Sequence, residues 1–306
     1  MKNKYVFVSA LLISLALLGV ILTNLYVIRT EDKKREERFT IVTSFYPVYV
    51  ATLNIVGEES EEIELMNLSE PQTGCLHDYQ MTPADMKLLS QADAFVINGG
   101  GIEGFLEEVT EAYPDIALVE ACEGISLLEK GENAHAWMSV ECYRTMVSNI
   151  ASQLAQEDPE HAELYFNNAK AYDESLKDLQ NQQEEIKTAL KGTKIISFHE
   201  AFAYIAKDYG MKVVCNIDFD EERPISAGEP AQVLEAIQQD GASVIFAEEL
   251  YGKDMAETIL NEDDVEVMVL YLNPLNKGNY ARDSYLYGMQ ANIDLIREMM
   301  VDGCAK

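Results

Sequence analysis

From Pro159 to about Lys191 the chain carries an unbroken helical pattern, with no strand signal, no glycine and no proline after Pro159. That stretch divides everything around it. Leu164, Phe166, Ala169, Tyr172, Leu176, Leu179, Ile186 and Leu190 recur at helical spacing, and Gly192 stands where a glycine ends a helix. A helix of about 33 residues would be roughly 50 Å long, well above the usual length. The alternative is two helices with a break that the pattern does not show.

On both sides of this stretch, strand and helix signals alternate. Before it, β-rich runs occur at 39–44, 63–68, 94–98 and 116–120, and helical patterns separate them. One helix opens at Thr82-Pro83-Ala84-Asp85, which offers an N-cap threonine, a proline at the first helical position and an acid at the third. Others run over 102–113 and from Ser139 to Gln156. After the long stretch, strands are expected at 194–198, 212–218, 243–248 and 265–272, with helices starting near Glu200, Glu229, Gly252 and Tyr280. Ser226 and Glu229 are spaced as a capping box. The connections are too long for hairpins, so the sheets should be mostly parallel. The expected fold is α/β: two lobes, each a four-stranded mostly parallel sheet with flanking helices, joined by one long α-helix.

Residues 5–28 contain no ionisable side chain except tyrosines. A helix of that length spans the roughly 30 Å hydrocarbon core of a bilayer. The run ends Thr-Asn-Leu-Tyr-Val-Ile, with neither a small-residue cleavage site nor a cysteine for a lipid. An uncleaved signal anchor is expected over 1–28, with an ordinary signal peptide as the alternative. A charged juxtamembrane linker (29–38), an N-terminal lobe (39–157), the linking helix (158–192) and a C-terminal lobe (193–306) complete the organisation.

A net charge of −30 over 306 residues repels nucleic acid and anionic headgroups. A soluble surface accounts for it without invoking metal binding. Five cysteines, widely spread and without a Cys-x-x-Cys, make no disulfide framework. Cys75 could supply a soft ligand, although a small buried residue is the simpler reading. Gly99-Gly100-Gly101 lacks the spacing of a phosphate loop and has Glu103 beside it, which suits a tight turn. His199-Glu200 begins like a His-Glu-x-x-His motif, but Ala203 breaks the pair.

Three of the four histidines share an address. His77 follows the second strand of the first lobe, His135 follows its fourth, and His199 ends the first strand of the second lobe. In open α/β sheets, ligands bind beyond the carboxyl ends of the strands. Two facing lobes would bring these imidazoles into one cleft, and three neutral imidazoles are a zinc-type ligand set. His161, in a polar Asp-Pro-Glu-His stretch, is expected to be solvated.

Several stretches resemble the solute-binding subunits of ABC importers for zinc and manganese, the cluster A-I family. Residues 76–85 (LHDYQMTPAD), His135-Ala136-Trp137-Met138-Ser139 and residues 198–204 (FHEAFAY) are similar to its three ligand loops. Residues 245–249 (IFAEE) and 272–275 (LNPL) match two further stretches. The resemblance runs from Phe39 to Met299. It implies two four-stranded lobes, a rigid connecting helix, metal in the cleft at His77, His135 and His199, and delivery to a membrane permease driven by a cytoplasmic ATPase. A histidine at the third position favours zinc, with manganese as the alternative cargo. The fourth position, usually aspartate, falls on Asn273, a weaker donor that water or a nearby carboxylate would have to supplement. No histidine-rich loop precedes His135. The implied protein is an extracytoplasmic monomer on the cell membrane and not an enzyme. The competing readings are a zinc hydrolase or lyase built on a three-histidine site and an adhesin with structural metal.

Overall fold

The computed structural model describes residues 16–24, 26, 38–57, 62–70, 76, 79–219, 224–262 and 265–301. The chain divides into two compact units, Met1–Phe39 with Ser60–Glu64, and Thr40–Glu59 with Leu65–Lys306. In the first, residues 16–24 are helical, with Leu17, Leu18, Val20, Ile21 and Leu22 exposed. Most of the expected anchor and linker lies outside the described residues. Among those described, no helix is long and apolar enough to cross a membrane.

The expected α/β architecture is present. Strands β1 (Phe39–Thr43), β2 (Ile63–Asn67), β3 (Ala94–Ile97) and β4 (Ala117–Glu120) form a sheet of order β2-β1-β3-β4. Strands β5 (Lys194–Ser197), β6 (Lys212–Asn216), β7 (Val244–Ala247) and β8 (Met268–Tyr271) repeat it as β6-β5-β7-β8. β1 pairs with β3, β3 with β4, β5 with β6 and β7, and β7 with β8, all parallel. The central strands β3 (AFVI) and β7 (VIFA) are buried at every position, as continuous apolar runs covered on both faces should be.

Helices α1 (Tyr46–Val56), α2 (Pro83–Leu89), α3 (Leu106–Ala112) and α4 (Val140–Glu157) belong to the first lobe. The predicted caps form: Thr82 and Asp85 bond reciprocally at the start of α2, and the Ser139 hydroxyl accepts from the Cys142 amide at the start of α4. Helices α6 (Phe202–Asp208), α7 (Glu229–Gln238), α8 (Lys253–Leu260) and α9 (Ser284–Val301) belong to the second lobe. At the start of α7 the Glu229 carboxylate accepts from the Ser226 amide, one bond of the expected capping box.

Between the lobes runs α5 (Ala162–Leu190), one continuous helix of 29 residues and about 44 Å. A 3₁₀ turn, Pro159–His161, precedes it, so the helix starts three residues later than the pattern indicates. Gly192 follows with φ +86°. Its buried side chains are Tyr165, Ala169, Tyr172, Leu176, Leu179, Gln183, Ile186 and Leu190. This stripe has alternating steps of four and three, and it packs on α1, α4 and α9. Leu164 and Phe166 lie off it; Phe166 is 51% exposed. His161 is not solvated as expected. Its side chain is only 15% accessible, and Nδ1 lies 2.7 Å from the Asp158 carboxylate, which also accepts from the Tyr165 hydroxyl.

The three-glycine loop after β3 is a turn and not an anion cradle. All three glycines have positive φ, and a Cβ on Gly99 would run into the Glu120 carboxylate. Buried Glu103 closes the turn, accepting from the Asn98 and Gly99 amides and the Ser44 hydroxyl. Burial outweighs these three donors and pushes its carboxyl from an ordinary 4.5 up to about 7. The folded state therefore holds this proton more tightly than the unfolded chain, and stability from this group is lost as pH rises from about 4.5 through about 7. Denaturant unfolding of the parent and of Glu103→Ala at pH 5 and pH 8 checks this: the variant should lose less stability between the two values. An equal loss in both would remove Glu103 as the cause.

Candidate metal centre

His199 and Glu248 are brought together by strand register. β5 and β7 are adjacent and parallel, with Ser197 opposite Phe246. Two residues further along, past the carboxyl ends, His199 faces Glu248. With a side-chain period of two, both side chains return to the same face. The His199 Nδ1 lies 2.5 Å from the Glu248 carboxylate, and both side chains are buried, at 1% and 5% accessibility. The sheet order reverses direction between β5 and β7, the point at which open α/β sheets bind ligands. Bonds between side chains and main chain fix the turn: the Ser197 hydroxyl donates to the His199 carbonyl, and the Glu200 amide donates to the Asp218 carboxylate.

His135 arrives from the first lobe on a loop after β4. A single bridge, Leu128 to Asn133, closes the loop, and the Asn98 side chain at the end of β3 donates to the Ala134 carbonyl. The Asn133 carbonyl oxygen Oδ1 lies 3.1 Å from both the amide and the Nδ1 of His135. The ring is fully buried and packs against Trp137 at 4.9 Å between centres.

The two imidazoles meet edge to face, 5.2 Å apart between ring centres, at 82°. Two rings bound tetrahedrally to one zinc through bonds of about 2.0–2.1 Å have centres roughly 5 Å apart. Aromatic pairs also favour such spacing. The Nδ1 contacts bear on the ligand reading. Each Nδ1 faces an oxygen acceptor, Glu248 for His199, and Asn133 and Glu200 (3.2 Å) for His135. A ring that donates from Nδ1 carries its lone pair on Nε2, the arrangement that metal-ligating histidines show.

The structure thus joins His135 and His199. His77 lies outside the described residues, as does Cys75. Among the described residues no three His, Cys, Asp or Glu side chains are grouped to hold a metal. Asn273 is exposed; its Oδ1 accepts from the Leu275 amide, and its main chain bonds to Asn292 in both directions. Next to it, the Pro274 carbonyl accepts from Trp137 Nε1 at 2.9 Å, so this loop borders the histidine pair. Cys122 and Cys142 are free and buried, and burial raises both thiols, which suits packing and not ligation. Glu200 and Glu248 are the residues that the histidine pattern misses. Glu248 directly follows a strand and His199 lies two residues past one, and that address was the available signal.

The sequence model of the family described as ZnuA, zinc-uptake complex component A periplasmic, matches residues 41–299. The high-affinity zinc uptake system protein ZnuA of Bacillus subtilis is 27% identical over 286 residues, covering 87% of this chain and 88% of that protein. The manganese-binding lipoprotein MntA of Halalkalibacterium halodurans is 27% identical over 265 residues, covering 84% and 87%. The structure of the solute-binding protein FpvC of Pseudomonas aeruginosa with Mn2+ superposes with a TM-score of 0.74 at 25% identity, over 87% of this chain and all of that one. A match that takes in both lobes, the long helix and the paired histidines places this chain in the ZnuA family of metal-binding solute-binding proteins of ABC importers.

Proposed function

We propose that the chain captures zinc between its lobes and hands it to the permease of an ABC importer, whose cytoplasmic ATPase drives uptake. The observation that carries this reading is the meeting of His135 and His199, one from each lobe, as a buried pair with an oxygen acceptor at each Nδ1. His77 supplies the third nitrogen. Nitrogen donors favour zinc, whereas manganese prefers carboxylates. The chain is a binding protein and not an enzyme, in keeping with its family of solute-binding proteins for metal uptake. The protein purified without added metal should contain zinc, and manganese should not displace it in competition calorimetry. Preferential binding of manganese would make this the manganese carrier of the same family.

The fourth donor offers a direct test of selectivity. Asn273→Asp keeps the oxygen that accepts from Leu275 and adds a hard anionic ligand. Metal should bind more tightly, and manganese should gain more than zinc. Calorimetry with both metals reads the two changes, and a variant with the parent's zinc-to-manganese ratio places position 273 outside the shell.

The apolar run over 5–28, within an anchor segment of residues 1–28, tethers the protein to the membrane with both lobes outside the cytoplasm. The exposed Leu17, Leu18, Val20, Ile21 and Leu22 support this, being apolar side chains that a bilayer would cover. Mass spectrometry of the mature protein should find residues 1–28 retained and the protein in the membrane fraction. A mature form beginning near residue 30 would exclude this tether.

A further inference from the structure

We propose that Glu200 and Glu248 are positioning residues for the metal, and that Glu200 makes the first lobe's histidine depend on contact with the second lobe. The inference rests on the reading that His135 and His199 ligate the metal. Glu248 is almost fully buried beside a buried imidazole, with Phe202 against that ring, Phe246 against Phe202, and Phe198 and Ala247 in the neighbouring apolar core. A carboxylate in such surroundings is costly unless it is bonded, and packing alone would be served by an apolar residue. Its carboxylate meets the Nδ1 of His199. It therefore holds the ring that faces the cleft.

Glu200 acts across the lobes. It follows His199 in the second lobe, yet its carboxylate lies 3.2 Å from the Nδ1 of His135 in the first. Its main-chain carbonyl accepts from the Asn133 side chain at 3.0 Å, so main chain and side chain together grip the loop that carries His135. Asn133 also offers its own oxygen to the same Nδ1. The His135 ring is thus shared between a neutral amide from its own lobe and a carboxylate from the other. Carboxylate support at Nδ1 strengthens an imidazole as a metal donor. When the lobes part, the amide stays and the carboxylate leaves, so His135 becomes the weaker ligand at the moment of release. Holding is strong in the joined state, and separation itself loosens the metal.

The test uses the full chain loaded with zinc, comparing Glu200→Ala, Glu200→Gln, Glu248→Ala and Glu248→Gln with His135→Ala and His199→Ala. Loss of such a supporting group costs metal affinity about 10–100-fold, and both alanine variants should show it. Glu248→Gln keeps an oxygen to accept from the His199 Nδ1 and should restore most of the affinity, whereas Glu200→Gln leaves the His135 Nδ1 with amide oxygens alone and should stay close to Glu200→Ala. For Glu200→Ala the loss should appear as faster release of zinc to a chelator in stopped flow. At saturating cobalt, the visible ligand-field bands should shift in the alanine variants, which a general loss of stability would not cause. If an alanine variant fails to fold, its glutamine counterpart carries the test: Glu248→Gln binding as weakly as His199→Ala, or Glu200→Gln binding and releasing zinc like the parent, would overturn the positioning roles. Parent-like affinity and cobalt spectra in folded Glu200→Ala and Glu248→Ala, with both histidine variants impaired, would also overturn it while leaving the ligands in place. Parent-like binding in the histidine variants would instead remove the reading on which it rests.

Discussion

Replacing His135 or His199 with alanine should weaken zinc binding by at least about tenfold, or ~1.4 kcal/mol, and His77→Ala should do the same. Each substitution removes a nitrogen donor and leaves a space that water fills. His199→Ala also strips the buried Glu248 carboxylate of its ring donor, whereas in His135→Ala the Asn133 oxygen keeps the main-chain amide of residue 135. The stronger evidence comes from combining them. Two ligands of one ion are coupled, so the double variant should depart from the sum of the single losses by about 0.5–3 kcal/mol. Binding should also weaken as pH falls, because a ligating imidazole must be unprotonated. His161→Ala is the internal control: it removes the bond to Asp158 at the start of α5 and should lower stability slightly without changing zinc affinity. Calorimetry on these variants reads every term. A His199→Ala protein that binds zinc like the parent would break the link between the lobes on which the reading depends.

The parts legible in the sequence were those written in local pattern. The caps at Thr82 and Ser139, the end of the long helix at Gly192 and the two sets of four strands are short-range signals, and the structure has them close to where they were expected. The phase of α5 was less legible. The apolar pattern takes in Leu164 and Phe166, whereas the buried stripe runs through Tyr165 and Gln183, and the Tyr165 hydroxyl reaches Asp158. Helix α1 could be inferred from the alternation but not from periodicity. Nine of its eleven residues are buried, so no polar face marks it, and its aromatic and β-branched composition reads as strand.

At the site, the histidines were legible because a strand end is a local address. Their supports were not. Glu248 meets His199 only through the register of β5 on β7, which the sequence does not state. Glu200 meets His135 only through the docking of two lobes, a relation between segments 65 residues apart.

The single tryptophan is where that docking should be most sensitive. Trp137 is fully buried in the first lobe, edge-on to Phe45 at 5.1 Å and beside His135. Its Nε1 donates to the Pro274 carbonyl of the second lobe, and its own carbonyl accepts from the Tyr285 hydroxyl at 2.8 Å. The Tyr285 ring stacks on Tyr143 at 3.6 Å, so one residue ties α9 and the loop after β8 to the start of α4. Trp137→Ala should cost about 3–5 kcal/mol in unfolding free energy, as the loss of a fully buried large side chain does. It also takes away the wall behind His135, so zinc affinity should fall with stability. Trp137→Phe separates the two effects. The ring volume is largely kept, but the Pro274 carbonyl loses its donor, at a cost of about 1–3 kcal/mol. Tyr285→Phe removes only the hydroxyl on the other side and should cost about 1 kcal/mol. Because the tryptophan variants lose the fluorophore, unfolding in denaturant should be followed by far-ultraviolet circular dichroism. Trp137→Phe should fold and still bind zinc, more weakly than the parent. A Trp137→Ala protein within about 1 kcal/mol of the parent would mean that the cavity collapses, and that the lobes are held together without this side chain.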